Sequence, residues 1–221
     1  MQVKADSWLA TAAGAVLWVV AAVGYVILEA SAAAGSEPAY SYVHNYVSDL
    51  AVSGGRAYLI RAAFFLQGIL FLFGALLIVR FPNSRRGRVF LGLVAANALG
   101  NIAVGTVHSG QVHVAGAALA IVGGNAAILV GSALVGTAGG YRWYRCISKC
   151  VAALGLLCLI MLLINSVTNS ANLLPNGAWE RGSIYSITGW QLLSAGWVLG
   201  GSCSAAVGGR IAAWTSSQRT M

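Results

Sequence analysis

The chain of 221 residues has 13 basic and 5 acidic residues, so 8% of its residues are charged and 58% are hydrophobic. An ordinary soluble domain has about 25% charged residues with which to cover its surface, and this chain has far fewer. Intrinsic disorder is excluded as well, because disordered chains combine low hydrophobicity with high charge. The composition therefore indicates an integral membrane protein, and the length allows about six helical spans without a separate soluble domain.

Six apolar runs predict an all-α integral membrane bundle of six transmembrane helices, forming a single transmembrane domain over residues 1–221. The runs cover approximately residues 8–30, 58–79, 90–107, 112–135, 146–167 and 184–206. All three prolines (Pro38, Pro82 and Pro175) fall between runs, as expected because proline removes a backbone hydrogen-bond donor. The first run is longer than the apolar core of a signal peptide and is interpreted as an uncleaved helix. A β-barrel is excluded, because it needs alternating apolar and polar residues.

The basic residues predict the orientation of the bundle. Ten of the thirteen lie in the N-terminal segment, the second and fourth connections and the C-terminal segment, whereas Arg56, Arg61 and Arg181 lie on the opposite side. Since cytoplasmic segments are rich in Lys and Arg, both termini are predicted to be cytoplasmic in a multi-pass protein of the plasma membrane. The topology accounts for the positive charge, so no nucleic-acid partner is predicted.

Polar residues concentrate on the predicted external side, where all three histidines (His44, His108 and His113) lie. Asn97, Asn101 and His108 fall within about 40° of one another on the third helix and form a polar stripe. Polar groups in a membrane usually face the bundle interior or a water-filled cavity. We therefore expect an outward-facing polar cavity. The candidate ligand-binding residues are Arg61, Asn97, Asn101, Asn165, Glu180, Arg181 and Gln191.

The external segment from His44 to Leu50 is the densest polar stretch, and it is interpreted as a short interfacial helix or a loop folded over the bundle. Arg61 lies about one turn inside the second helix, where a guanidinium needs a carboxylate or other acceptors. Asp49, one loop away, is the predicted partner of Arg61.

Two segments resemble the family called domain of unknown function 998. The residues that carry the resemblance are Asn45, Ser48, Asp49 and Leu50 in the first external loop, together with residues 105–108 and 113–117 around the third connection. The resemblance implies that His113 opens the fourth helix. It also implies a six-helix membrane protein of bacteria or archaea, and it supplies no reaction, because the biochemical function of the family is not established.

A non-enzymatic role is favoured over an enzyme. The predicted function is binding of a lipid headgroup or a small polar ligand in the external cavity, in an accessory, binding or transport role. Membrane lipids are the expected partners, and a homodimer or a membrane complex is a further expectation, because six helices are few for a secondary transporter. No cofactor is predicted.

The alternative is a metal-dependent membrane hydrolase that acts on lipid at the outer leaflet. Zinc needs three or four ligands, commonly histidine and carboxylate, with an open position for water. The candidates, both as catalytic residues and as metal ligands, are His44, Asp49, His108 and His113. They are expected to converge with Glu180 and Arg181 at the mouth of one cavity. A glycerolipid acyltransferase motif (His44 to Asp49) and a haem site are less favoured, because no acyl-donor domain fits the chain and all the histidines lie at one rim.

Overall fold

A computed structural model describes residues 2–36, 39–52, 55–80, 84–135, 141–170 and 173–218 of the chain. The described residues form six α-helices and one short 3₁₀ helix, and they contain no strand. The α-helices are α1 (Gln2–Ala33), α2 (Ala57–Val79), α3 (Arg85–Thr106), α4 (Gly110–Gly131), α5 (Tyr141–Thr168) and α6 (Asn176–Gln218). The 3₁₀ helix, Val47–Ala51, lies between α1 and α2.

Several helices begin outside the predicted spans, because hydropathy detects the apolar part of a helix and misses its polar first turns. α3 begins at Arg85 rather than near residue 90, and the Oγ of Ser84 caps it by accepting from the Gly87 N–H at 3.1 Å. α6 begins directly after Pro175 rather than near residue 184. Glu180 and Arg181 therefore lie in the first turns of this helix, before the start of the span predicted over residues 184–206.

The helices pack up and down in chain order, except that α4 and α5 contact each other sparsely. α1 packs against α2, α2 against α3, α3 against α4, and α5 against α6, while α6 also contacts α1 and α4. One end of the bundle carries residues 39–52 and is called the loop end below. The opposite end carries Arg85, Arg86, Arg142 and Lys149 and is called the basic end.

Five of the helices, α1 to α5, are long and apolar enough to cross a membrane. Large apolar side chains cover their outer faces: on α5, Leu154, Leu157, Ile160 and Leu163 are each more than half exposed. Such a surface is too apolar for water and suits lipid. A membrane crossing by α6 and the cytoplasmic location of the termini stay predictions.

An aromatic cluster fills the interior of the bundle on the side of the basic end. The rings of Trp18 and Trp190 have centroids 5.3 Å apart, and Phe71 and Phe90 each lie 6.4 Å from Trp190. The indole N–H of Trp18 donates to the Phe71 carbonyl, and that of Trp190 donates to the Ser148 hydroxyl, both at 3.0 Å. The cluster is therefore tightly packed and has its polar atoms satisfied.

Glycines bring α3 and α4 into backbone contact. A Cβ placed on Gly123 would lie 2.8 Å from the Asn97 nitrogen and 2.9 Å from the Leu93 oxygen, which are both backbone atoms of α3. Gly100 faces the backbone of Gly116 in the same way. Close packing through small residues is thus present at Gly100, whereas a Cβ on Gly92 would meet nothing within 4 Å.

We expect Gly123→Ala to lower the free energy of unfolding by about 1–3 kcal/mol, because the new methyl group would push two helix backbones apart. Denaturant titration in mild detergent, followed by tryptophan fluorescence, measures the change. Gly92→Ala adds the same methyl group to α3 in open space and is the matched control, with stability expected not to fall, because alanine favours a helix more than glycine does. Equal effects of the two substitutions would contradict the close contact of α3 and α4.

The predicted orientation is testable at two exposed positions, Val52 at the loop end and Arg86 at the basic end. In a background without native cysteines, we expect Val52→Cys to react with a membrane-impermeant maleimide added to intact cells. Arg86→Cys should react only after the membrane is permeabilised. The reverse pattern would invert the bundle in the membrane.

Candidate functional site

A buried ion pair joins the end of α1 to the start of α6 at the loop end. The Arg181 Nε donates to the Glu29 Oε1 at 3.0 Å, and both side chains are at least nine-tenths buried. The second carboxylate oxygen of Glu29 accepts from the Tyr185 hydroxyl at 2.9 Å. Burying two charges is unfavourable unless their remaining polar atoms are also satisfied, and this pair meets that condition.

The other guanidinium N–H groups of Arg181 attach residues 39–46 to α6. Its Nη1 donates to the backbone oxygens of Tyr42 at 2.6 Å and Asn45 at 2.9 Å, and its Nη2 donates to the Tyr40 hydroxyl. Burial raises the pKa of Tyr40 above its ordinary value, so the hydroxyl keeps its proton and donates it to the Tyr46 carbonyl at 2.7 Å. The contacts of Arg181 therefore lie within the protein, although the sequence predicts a ligand-binding role for it.

The 3₁₀ helix lies over the bundle interior, with Val47 fully buried. The Val47 N–H donates to the Oε2 of Glu180, which is itself 7% exposed. Asp49 accepts from the Tyr46 N–H at 2.8 Å, and Arg61 donates to the Ala51 carbonyl at 2.6 Å. Both of these contacts are to backbone atoms. The pairing of Asp49 with Arg61 stays a prediction.

A small polar chamber lies beneath the 3₁₀ helix, enclosed by α1, α2, α3, α4 and α6. Its volume is about 40 Å³, enough for roughly one to three water-sized groups. The polar side chains that line it are Tyr25, Ser48, Gln67, Asn97, Asn101 and Glu180. The two asparagines of the predicted α3 stripe therefore face an internal cavity, whereas His108, its third member, lies beyond the end of α3 at Thr106.

Buried polar atoms at the chamber, and directly beside it on Gln191, are left without a partner by the described residues. Gln67 donates its Nε2 to the Gln191 Oε1 at 2.8 Å, and this contact leaves the Gln67 Oε1 and the Gln191 Nε2 unpaired. The Tyr25 hydroxyl is also unpaired, although the residue is 1% exposed. By contrast, the Asn97 Nδ2 donates to the Ala120 carbonyl at 2.7 Å. Unpaired buried groups are unfavourable and mark sites where water or a ligand is bound.

A larger cleft of about 430 Å³ opens between α4 and α5, which contact each other sparsely. Its apolar wall consists of Val114, Ala117, Ala118, Ile121, Leu159, Leu162 and Leu163. Its polar lining consists of Tyr46, Ser48, His113, Ser166 and Glu180. The cleft and the chamber share Ser48, Ala117, Ile121 and Glu180. The Glu180 carboxylate therefore lies at the wall that the cleft and the chamber share.

The residues predicted to be catalytic or metal-ligating lie in different parts of the structure. His113 lines the cleft, and its Nδ1 lies 2.8 Å from the Val107 carbonyl. His44 is exposed and lines a separate polar cavity of about 490 Å³ near Asn165, while His108 is half-buried. Across the described part of the chain, no group of three His, Cys, Asp or Glu side chains could hold a metal ion. The expected convergence of these residues at one mouth therefore gains no support.

Sequence reasoning missed Glu29, Tyr25 and Gln67 as members of the site. Each lies within an apolar run, and its polarity alone is a signal, because an isolated polar group in a membrane helix needs a partner. A carboxylate at the end of the first helix predicts a cation nearby, and Arg181 of α6 is that cation.

The five apolar helices, the lipid-facing surface and the polar interior define a multipass α-helical membrane protein. A family model described as protein of unknown function (DUF998) matches residues 12–197. The chain belongs to this family, in agreement with the resemblance in the first external loop and the third connection. No curated protein and no solved structure shows significant similarity to the chain.

We expect Arg181→Met to lower the free energy of unfolding by about 3–5 kcal/mol, because it leaves the Glu29 carboxylate buried without its cation. Arg56→Met is the matched control: Arg56 is an exposed arginine at the same end, with one long contact to the Ser31 carbonyl at 3.3 Å. Its loss should change stability by at most about 0.5 kcal/mol. Denaturant titration in detergent measures both.

The double variant Glu29→Leu/Arg181→Met removes both charges and should recover part of the stability that Arg181→Met loses. An Arg181→Met variant as stable as Arg56→Met would show that the ion pair contributes nothing to the fold.

Proposed function

We propose that the protein binds an amphiphilic membrane molecule in the cleft between α4 and α5, with the polar head of that molecule at Glu180. The observation that carries the proposal is the shared wall of the two cavities, where a buried carboxylate ends an apolar cleft. Ligand sites in proteins combine a mostly apolar concave surface with a few convergent polar groups, and this cleft has that composition.

The cleft is accessible from the surface that faces lipid. Val114 and Leu163, on its two sides, are 66% and 54% exposed. An apolar chain could therefore enter sideways from the bilayer without crossing water. With both termini in the cytoplasm, the loop end faces outward, and the ligand would come from the outer leaflet.

The aromatic cluster supports binding rather than free passage through the bundle. Trp18, Phe71, Phe90 and Trp190 are fully buried and fill the interior on the side of the basic end. The polar chamber lies on the other side of this cluster, under the 3₁₀ helix. A headgroup at Glu180 would thus reach a closed pocket, which is typical of a binding or accessory protein.

Photocrosslinking at two matched positions of α5 tests the proposal. Leu163 lines the cleft and Leu157 does not, yet the two side chains are 54% and 52% exposed. We expect p-benzoylphenylalanine at position 163 to crosslink one amphiphile in cells. The share of that amphiphile among the adducts should exceed its share of membrane lipid about tenfold, which corresponds to a difference of about 1.4 kcal/mol in binding free energy. Position 157 should crosslink bulk lipid in proportion to membrane composition. Mass spectrometry identifies the adducts.

A second pair of variants controls for nonspecific effects. Ala118→Trp fills the cleft from α4 and should abolish the enriched adduct at position 163, whereas Ala115→Trp, on an exposed part of the same helix outside the cleft, should preserve it. Identical lipid profiles at positions 163 and 157 would refute the proposed function.

A further inference from the structure

Three of the five polar residues that line the cleft, His113, Ser166 and Glu180, present acceptors of hydrogen bonds. A carbonyl oxygen only accepts, so the contact with Val107 requires that the His113 Nδ1 carries its proton, and the Nε2 of the neutral ring is left as an acceptor. Ser166 donates its hydroxyl proton to the Leu162 carbonyl at 2.8 Å, which leaves its oxygen lone pairs. Glu180, when ionised, has only acceptor oxygens. A ligand head that binds these three residues must supply donors.

The described side chains around the cleft leave an excess of negative charge. Arg181 is paired with Glu29, and no Lys or Arg is among the described residues that line the cleft or the chamber. Within the described residues, no cationic side chain lies within 4.0 Å of the Glu180 carboxylate, whose hydrogen bond comes from the Val47 N–H. Burial opposes the charge of this carboxylate, and the nearby Arg181 reduces that effect without forming an ion pair with it. A directly bound cation would reduce the penalty further.

We infer that the amphiphile is a chain-bearing primary amine, whose ammonium group binds Glu180 while its apolar chain lies along the α4–α5 cleft. This inference rests on the proposed function and specifies its ligand class. An ammonium group has three N–H donors and no acceptor, which is the complement of Glu180, the His113 Nε2 and the Ser166 Oγ. A phosphate or carboxylate head would instead bring like charge to Glu180.

Four photoreactive probes that share one diazirine-bearing alkyl chain and differ only in the head test the ligand class. The heads are primary ammonium, trimethylammonium, hydroxyl and carboxylate. The full-length protein is reconstituted in phosphatidylcholine vesicles, and labelled peptides of α4 and α5 are quantified, with labelling on the Leu157 face of α5 as the internal reference for partitioning into the bilayer.

In the unmodified protein we expect the ammonium probe to label the cleft about 10- to 100-fold more than the hydroxyl probe. This range corresponds to the free energy that a hydrogen bond to a charged group contributes. The trimethylammonium probe keeps the charge and loses the donors, so it should label less than the primary amine. Glu180→Gln keeps an acceptor for the Val47 N–H and removes the charge, and it should reduce ammonium labelling to the level of the hydroxyl probe.

The outcomes separate this inference from the proposed function. If all heads label the cleft equally, and Ala118→Trp abolishes that labelling, the amine inference is wrong and the proposed function stands. If no probe labels the cleft above the Leu157 face, both are wrong. The comparison of heads in the unmodified protein decides the ligand class even if Glu180→Gln fails to fold, and a preference for the carboxylate probe would overturn the inference outright.

Discussion

The loop end depends on the Glu29–Arg181 ion pair. Moving two charges out of water is unfavourable by several kcal/mol for each ion, so the pair forms only where further polar groups complete its coordination. The Tyr185 hydroxyl completes it on the carboxylate, and the backbone of residues 42–45 completes it on the guanidinium. The requirement to satisfy these two charges therefore fixes the path of the first loop across α6 and brings the Val47 N–H to Glu180.

The cleft follows from an uneven distribution of glycines around α4. On one side, Gly116 and Gly123 let α4 meet the backbone of α3. On the other side, the α4 wall of the cleft contains no glycine and carries Val114 and Ile121 beside two alanines, and helix α5 packs mainly against α6. A helix drawn towards one neighbour by close packing leaves space beside the other. The close packing that stabilises the α3–α4 pair thus leaves space for the cleft that Glu180 lines.

Much of the fold follows from the sequence, because spans in a membrane need long apolar runs and prolines are excluded from them. The helical periodicity of Asn97 and Asn101 also predicts an inward-facing stripe, and both residues line the chamber. The partner of Arg181 could not be predicted in this way. Glu29 lies 152 residues away in the chain, and hydropathy carries no information on which remote polar residues meet. The bounds of α6 were mispredicted for a related reason, since its first turns are polar.

The two buried carboxylates of the loop end show how the same residue type acquires different roles. Glu29 has a guanidinium and a tyrosine hydroxyl as partners, and it contributes to the connection of α1, α6 and the first loop. Glu180 has a backbone N–H and faces two cavities. A buried charge without a direct ion pair is unfavourable, so Glu180 lacks the structural explanation that applies to Glu29. We propose a cationic group from the membrane because Glu180 lies at the wall that the cleft and the chamber share.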